Sequence, residues 1–213
     1  MKNVIKGLFS RDKKDTSRQL NHPNQLQMGD MLKLDDSFLL PAVLRGQTFK
    51  VSEVNTYQFE YEHYPEWVLK NERGDAVFLT LDDDDGEEFA NFAIKIQRAD
   101  VESLFDMDEF AEIFEEEEGA ALNLQGEREG FDKWLDSKYH QISQANRGYF
   151  YSVDYRDSAP PDDEEYGEPF DLFELESDDG MKGVGVEVWP DGETDVFLSI
   201  SRPLGDIREL WPK

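Results

Sequence analysis

The sequence predicts an α+β fold, two similar antiparallel β-meander units with an acidic helical insertion between them, consistent with an internal duplication. Three observations point there: period-two alternation in both halves, a helical period confined to the middle, and matching residues at a constant offset of 106. The 213 residues hold 22 Lys+Arg against 49 Asp+Glu, a formal net charge of −27, with no cysteine. High charge is the signature of disorder, but fifteen Phe, eight Tyr and four Trp spread through the acidic stretches argue for a packed aromatic core.

Residues 1–27 read as a basic amphipathic segment and linker. Six cations against two anions in residues 1–20 give a local charge of +4, which leaves −31 on the rest. Val4, Ile5, Leu8 and Phe9 share one face of a short helix, a candidate membrane or partner contact. The flanking lysines and arginines would favour anionic lipid, but the acidic body would be repelled by it, so any peripheral attachment is weak. The apolar stretch is too short for a secretory signal, and Lys6 interrupts it.

Residues 28–105 form the first β-rich unit. Phe49, Val51, Tyr57, Phe59 and Tyr61 alternate with polar residues, and Glu72-Arg73-Gly74-Asp75 separates two strands as a hairpin turn. Residues 106–146 form the helical insertion. Phe110, Ile113 and Phe114 define one short helix stopped by Gly119, and a longer one over 127–143 carries Phe131, Trp134, Leu135, Lys138 and Ile142 on one face. Residues 147–213 return to strands at Tyr149–Tyr155, Phe170–Glu176, Gly183–Trp189 and Thr194–Ser201. Residues 28–213 are expected to make one compact domain.

The offset of 106 brings Leu69 onto Leu175, Gly74 onto Gly180, Asp85-Gly86-Glu87 onto Asp191-Gly192-Glu193, Ile94 onto Ile200, Asp100 onto Asp206 and Leu104 onto Leu210. Duplication explains this, and so does the common demand of hairpin turns for Asp-Gly.

Few motifs carry chemistry. Asp82 to Glu88 suggests calcium, but with Gly86 at loop position 6 the first and twelfth ligand positions are Leu81 and Phe92, which cannot coordinate. No nucleophile elbow, phosphate loop or H-E-x-x-H occurs, and His63 reads as structural. No catalytic, cofactor-binding or metal-ligating residue stands out, and no cofactor is expected. Glu112, Glu115, Glu116, Glu117 and Glu118 form a candidate acidic docking surface for a basic protein partner. Nucleic acid is excluded as a partner by charge.

Met28-Gly29-Asp30-Met31-Leu32, Phe49-Lys50-Val51, Glu66-Trp67-Val68-Leu69 and Val186-Glu187-Val188-Trp189 with its Asp191-Gly192 turn together resemble a bacterial family known as domain of unknown function 4178. The resemblance runs from about residue 28 to the end. It implies no established activity, supplies no site residues, and points to a coiled-coil partner of the phage-shock-protein-A kind.

The expected function is therefore a cytoplasmic, non-enzymatic interaction protein linked to membrane stress, peripheral to the inner membrane face, with dimerisation through an edge strand as an option. The alternative is a small-ligand-binding or enzymatic domain with an aromatic pocket around Tyr57, Tyr61, Tyr64 and Trp67; a third is a DNA-mimic inhibitor.

Overall fold

The computed structural model describes residues 18–115, 119–126, 129–161 and 166–213. Eleven strands run in the order β1 (Met31–Leu34), β2 (Thr48–Gln58), β3 (His63–Lys70), β4 (Ala76–Asp84), β5 (Glu87–Ile96), β6 (Ala121–Asn123), β7 (Lys138–Tyr151), β8 (Glu168–Glu176), β9 (Lys182–Val188), β10 (Thr194–Pro203) and β11 (Ile207–Trp211). Two short helices, α1 (Arg98–Leu104) and α2 (Met107–Ala111), lie between β5 and β6.

All eleven strands belong to one antiparallel sheet, ordered β11-β1-β2-β3-β4-β5-β10-β9-β8-β7-β6. This overturns the α+β expectation of two meander units around a helical insertion. The meanders β2–β5 and β7–β10 exist, but β5 pairs with β10 along Phe89–Ile96, merging them into a single sheet. Strand-rich sequences of this kind bury one face of every strand in a shared core, so separate units would leave edges open.

The longer helix expected over 127–143 is absent as well. Gly130 and Lys133 both take positive φ, which interrupts any helix there, and Lys138 onward joins β7. Ile142, which a helical period would bury, is 57% exposed. A neighbouring strand on each side of β7 supplies main-chain partners that outweigh its side-chain spacing. The acidic helix is likewise shorter than expected: α2 ends at Ala111, followed by a 3-10 turn at Glu112–Phe114. Asp106 caps α2, accepting from the N–H groups of Asp108 and Glu109.

The sheet closes on itself. The first half of β2 pairs with β1 and its last residues pair with β7, Thr56 to Tyr151 and Gln58 to Tyr149, with a bulge in the β2–β3 ladder between Val51 and Glu53 separating the two stretches. Strands β2, β3, β4, β5, β10, β9, β8 and β7 therefore form a closed eight-membered ring, with β1–β11 and β6 as flaps.

Alternation along the ring strands sorts side chains to two faces. Trp67, Leu69, Val77, Leu79, Phe92, Val184, Val186, Leu198 and Ile200 are buried on one face, in a large core shared with Leu26, Leu40 and Leu44, with Val101 and Leu104 of α1, and with Trp134. Trp67, fully buried, donates from Nε1 to the Leu26 carbonyl at 3.0 Å. Thr56, at the closure, is also fully buried: its hydroxyl donates to the Val153 carbonyl at 2.9 Å and accepts from the Tyr155 N–H at 2.9 Å. Thr56→Val preserves the shape but strands both main-chain groups, so we expect a loss of about 2 kcal/mol in urea unfolding.

Candidate functional site

The opposite face of the ring lines a cavity of about 230 Å³. Its wall draws on every ring strand: Tyr57 from β2, Tyr64 and Glu66 from β3, Phe78 and Thr80 from β4, Asn91 and Ala93 from β5, Ile142 from β7, Glu174 from β8, Gly185 and Glu187 from β9, and Phe197 and Ser199 from β10. A cavity lined from all eight strands is the lumen of the ring. Small residues at Ala93, Gly183, Gly185 and Ser199 leave the space open, and Phe78 and Phe197 meet edge-to-face across Ala93 at 5.4 Å.

One end is plugged by aromatic rings. Tyr57 packs edge-on against Phe150 at 5.3 Å and Phe170 at 5.4 Å, and Phe59 against Phe170 at 5.8 Å. This packing requires glycine at 148, where a Cβ would lie 2.7 Å from the Phe170 ring and 2.9 Å from Phe59. Exposed Ile142 and Gly180 lie at the other side of the cavity, toward solvent.

The lumen is acidic. Glu66 is 6% exposed and accepts from Asn55 Nδ2 at 3.1 Å; Glu187 is equally buried and accepts from the Tyr57 hydroxyl at 2.8 Å. Both partners are neutral. Strands β3 and β9 are four places apart in the ring of eight, so these two carboxylates face each other across the lumen. Burial pushes Glu66 up to about 8, with the charges of Glu187 and Glu53 adding to it and the Asn55 bond opposing. Burial raises Glu187 to about 7, where Asp195 adds to the rise and Lys95 and the Tyr57 bond oppose it. Glu174 is raised too, by burial and then by Glu176 and Glu62. Tyr57 and Tyr64 are both raised by burial and by the surrounding glutamates. Lys182 also borders the cavity, but its amine is held by the Leu135 carbonyl and Asp136.

Of the aromatic quartet read from the sequence, the structure brings Tyr57 and Tyr64 together in the lumen, stacked at 5.8 Å. It sends Trp67 to the core face and leaves Tyr61 90% exposed in a turn. Glu66 and Glu187 were missed, because 49 acids hide two. The available signal was their position: Glu66 falls on the alternate face from Trp67, and Glu187 interrupts Val186 and Val188.

Glu112 and Glu115 are exposed; Glu116, Glu117 and Glu118, like Val4, Ile5, Leu8 and Phe9, lie outside the described residues. The Asp82–Glu88 stretch is the exposed tip of the β4–β5 hairpin, turning at Asp85-Gly86, with Asp83 accepting from the Gly86 N–H at 2.9 Å. No group of three or more His, Asp or Glu among the described residues is placed to hold a metal. No helix among them is long and apolar enough to cross a membrane.

No family model, curated protein or solved structure matches this chain.

A glutamate whose folded value lies above its ordinary 4.5 favours folding most at low pH, and that contribution is lost as pH rises through the folded value. Glu66→Gln keeps an acceptor for Asn55 but cannot ionise. We therefore expect wild type and variant to melt alike near about pH 5, while above about pH 8 the variant melts higher by about 3–8 °C, read by calorimetry across pH.

Proposed function

We propose that this protein is a small-ligand-binding barrel whose ligand occupies the ring lumen. The observation that carries the reading is the cavity itself: eight strands closing around a space, open on one side, that mixes aromatic and aliphatic walls with buried carboxylates and neutral polar groups. Closed antiparallel barrels of about this strand number use their interior either for packing or for one small ligand. Here the packing function has moved to the opposite face, where the large core lies.

The cost of the arrangement supports a functional role. Buried carboxylates paired only with neutral donors destabilise a fold, and an apolar lumen would avoid that cost. Tyr57, Tyr64, Phe78 and Phe197 offer ring faces and edges for a ligand body, and Thr80, Asn91 and Ser199 offer neutral polar contacts. The volume is below that of a drug-sized site, equal to about eight waters of bulk liquid, so the ligand is compact.

Gly185 gives the test. It takes ordinary φ, and an added Cβ would meet only Phe197 Cβ, at 3.9 Å. Gly185→Val should fold, because β-branched residues suit strands, while filling the lumen. Screening small molecules by thermal shift should yield saturable stabilisers of the wild type that lose their effect in Gly185→Val. Stabilisers that act equally on both proteins would place binding elsewhere and overturn the reading.

A further inference from the structure

The chemistry of the lumen says which ligand it suits, an inference that rests on the lumen being a binding site. We propose that the ligand is a compact organic cation, a protonated primary amine on a small apolar or aromatic body, with the ammonium between Glu66 and Glu187 and the body against Tyr57 and Tyr64.

Acceptors outnumber donors here. An ionised carboxylate offers about four lone-pair positions. Among the described residues one of Glu66's is taken, by Asn55, and one of Glu187's, by Tyr57. An ammonium brings three donors and no acceptor, the complement of what remains.

A second observation, independent of the carboxylates, points the same way. Half-buried Tyr64 borders the cavity, and among the described residues no hydrogen bond engages its hydroxyl, which is free to meet a ligand there. It accepts from an ammonium as well as donating to a polar ligand atom.

The aromatic rings complete the match. Tyr57 and Tyr64 are stacked with an interplanar angle of 18°, Tyr64 stacking on Phe59 as well, and both rings border the cavity beside the carboxylates. A cation held close to a tyrosine face is attracted by the ring quadrupole, more strongly once both are desolvated. The competing ligand classes fit less well. An anion would meet Glu66, Glu174 and Glu187 with Lys182 already engaged. A divalent metal needs several oxygens converging on one point, and among the described residues no group of three or more His, Asp or Glu does so.

Charge balance predicts a proton signature. The groups facing Glu66 are Asn55, Tyr57, Tyr64, Glu53 and Glu187; those facing Glu187 are Tyr57, Tyr64, Glu66, Asp195 and Lys95. Near neutral pH both carboxyls carry a proton part of the time, because burial disfavours their charge. An ammonium arriving between them restores the charged forms and expels protons to buffer.

The test uses the whole chain with a panel of small primary amines running from methylamine through benzylamine to tryptamine, each matched by its neutral alcohol and its carboxylate, plus magnesium and calcium chloride. Calorimetry in two buffers of different ionisation enthalpy reads affinity and protons together. We expect at least one amine to bind saturably with proton release near neutral pH, its alcohol and carboxylate to bind about tenfold more weakly or not at all, and Glu187→Gln to weaken the amine about tenfold or more while cutting the proton release. Gly185→Val should abolish binding. If a neutral or anionic compound binds in a Gly185→Val-sensitive way and no amine does, the lumen reading stands and the cation inference falls. Saturable metal binding that displaces the amines also overturns it. If nothing in the panel binds at millimolar concentration, the inference is wrong; binding of amines undiminished in both Gly185→Val and Glu187→Gln would contradict it together with the lumen reading.

Discussion

The short pairing of β2 with β7 is the constraint on which the rest depends. It spans only Thr56–Gln58 against Tyr149–Tyr151, yet it turns an open sheet into a ring. β2 leaves β1 after Lys50 and reaches β7 from Thr56, with a bulge in its ladder with β3 falling between. Buried Thr56 locks the junction by joining two main-chain groups of the Val153–Tyr155 segment that follows β7. With the ring closed, alternation does the sorting: one set of side chains meets the main core, the other encloses the lumen.

The lumen is where the fold departs from what stability alone would choose. Glycine and alanine keep it open, and buried glutamates face each other with neutral partners. Asn55 and Tyr57 satisfy a hydrogen bond each without neutralising a charge. The large core on the other face carries enough apolar burial to tolerate this. Local conflicts of this kind, set against a consistent remainder, mark positions kept for chemistry rather than for folding. The net charge of −27 acts on another scale: it sets the field around the molecule, whereas two desolvated carboxylates set the chemistry inside.

Much of the strand pattern was legible in the sequence. The alternation of Phe49, Val51, Tyr57 and Phe59 falls within or beside β2, and Gly74, Gly86, Gly180 and Gly192 all sit in turns with positive φ. The segment read as a helix over 127–143 was misjudged because five side chains at helical spacing say nothing of a waiting sheet edge, while Gly130 and the later alternation did. Closure was out of reach: β5–β10 and β2–β7 join residues about a hundred positions apart, and no local signal encodes them. The site depended on that closure. Tyr57 and Tyr64 could be picked out as an aromatic pair, but their carboxylate neighbours become neighbours only when β3 and β9 face each other across the ring.

The most direct measurement is a pH titration of the glutamate side-chain carboxyl carbons by nuclear magnetic resonance, with Glu66→Gln and Glu187→Gln used to assign the two signals. An enclosed, desolvated lumen predicts midpoints near 8 for Glu66 and near 7 for Glu187, far from the bulk of the acidic residues. Both titrating near the ordinary 4.5 would mean that water reaches them freely, and would contradict a ring closed around them.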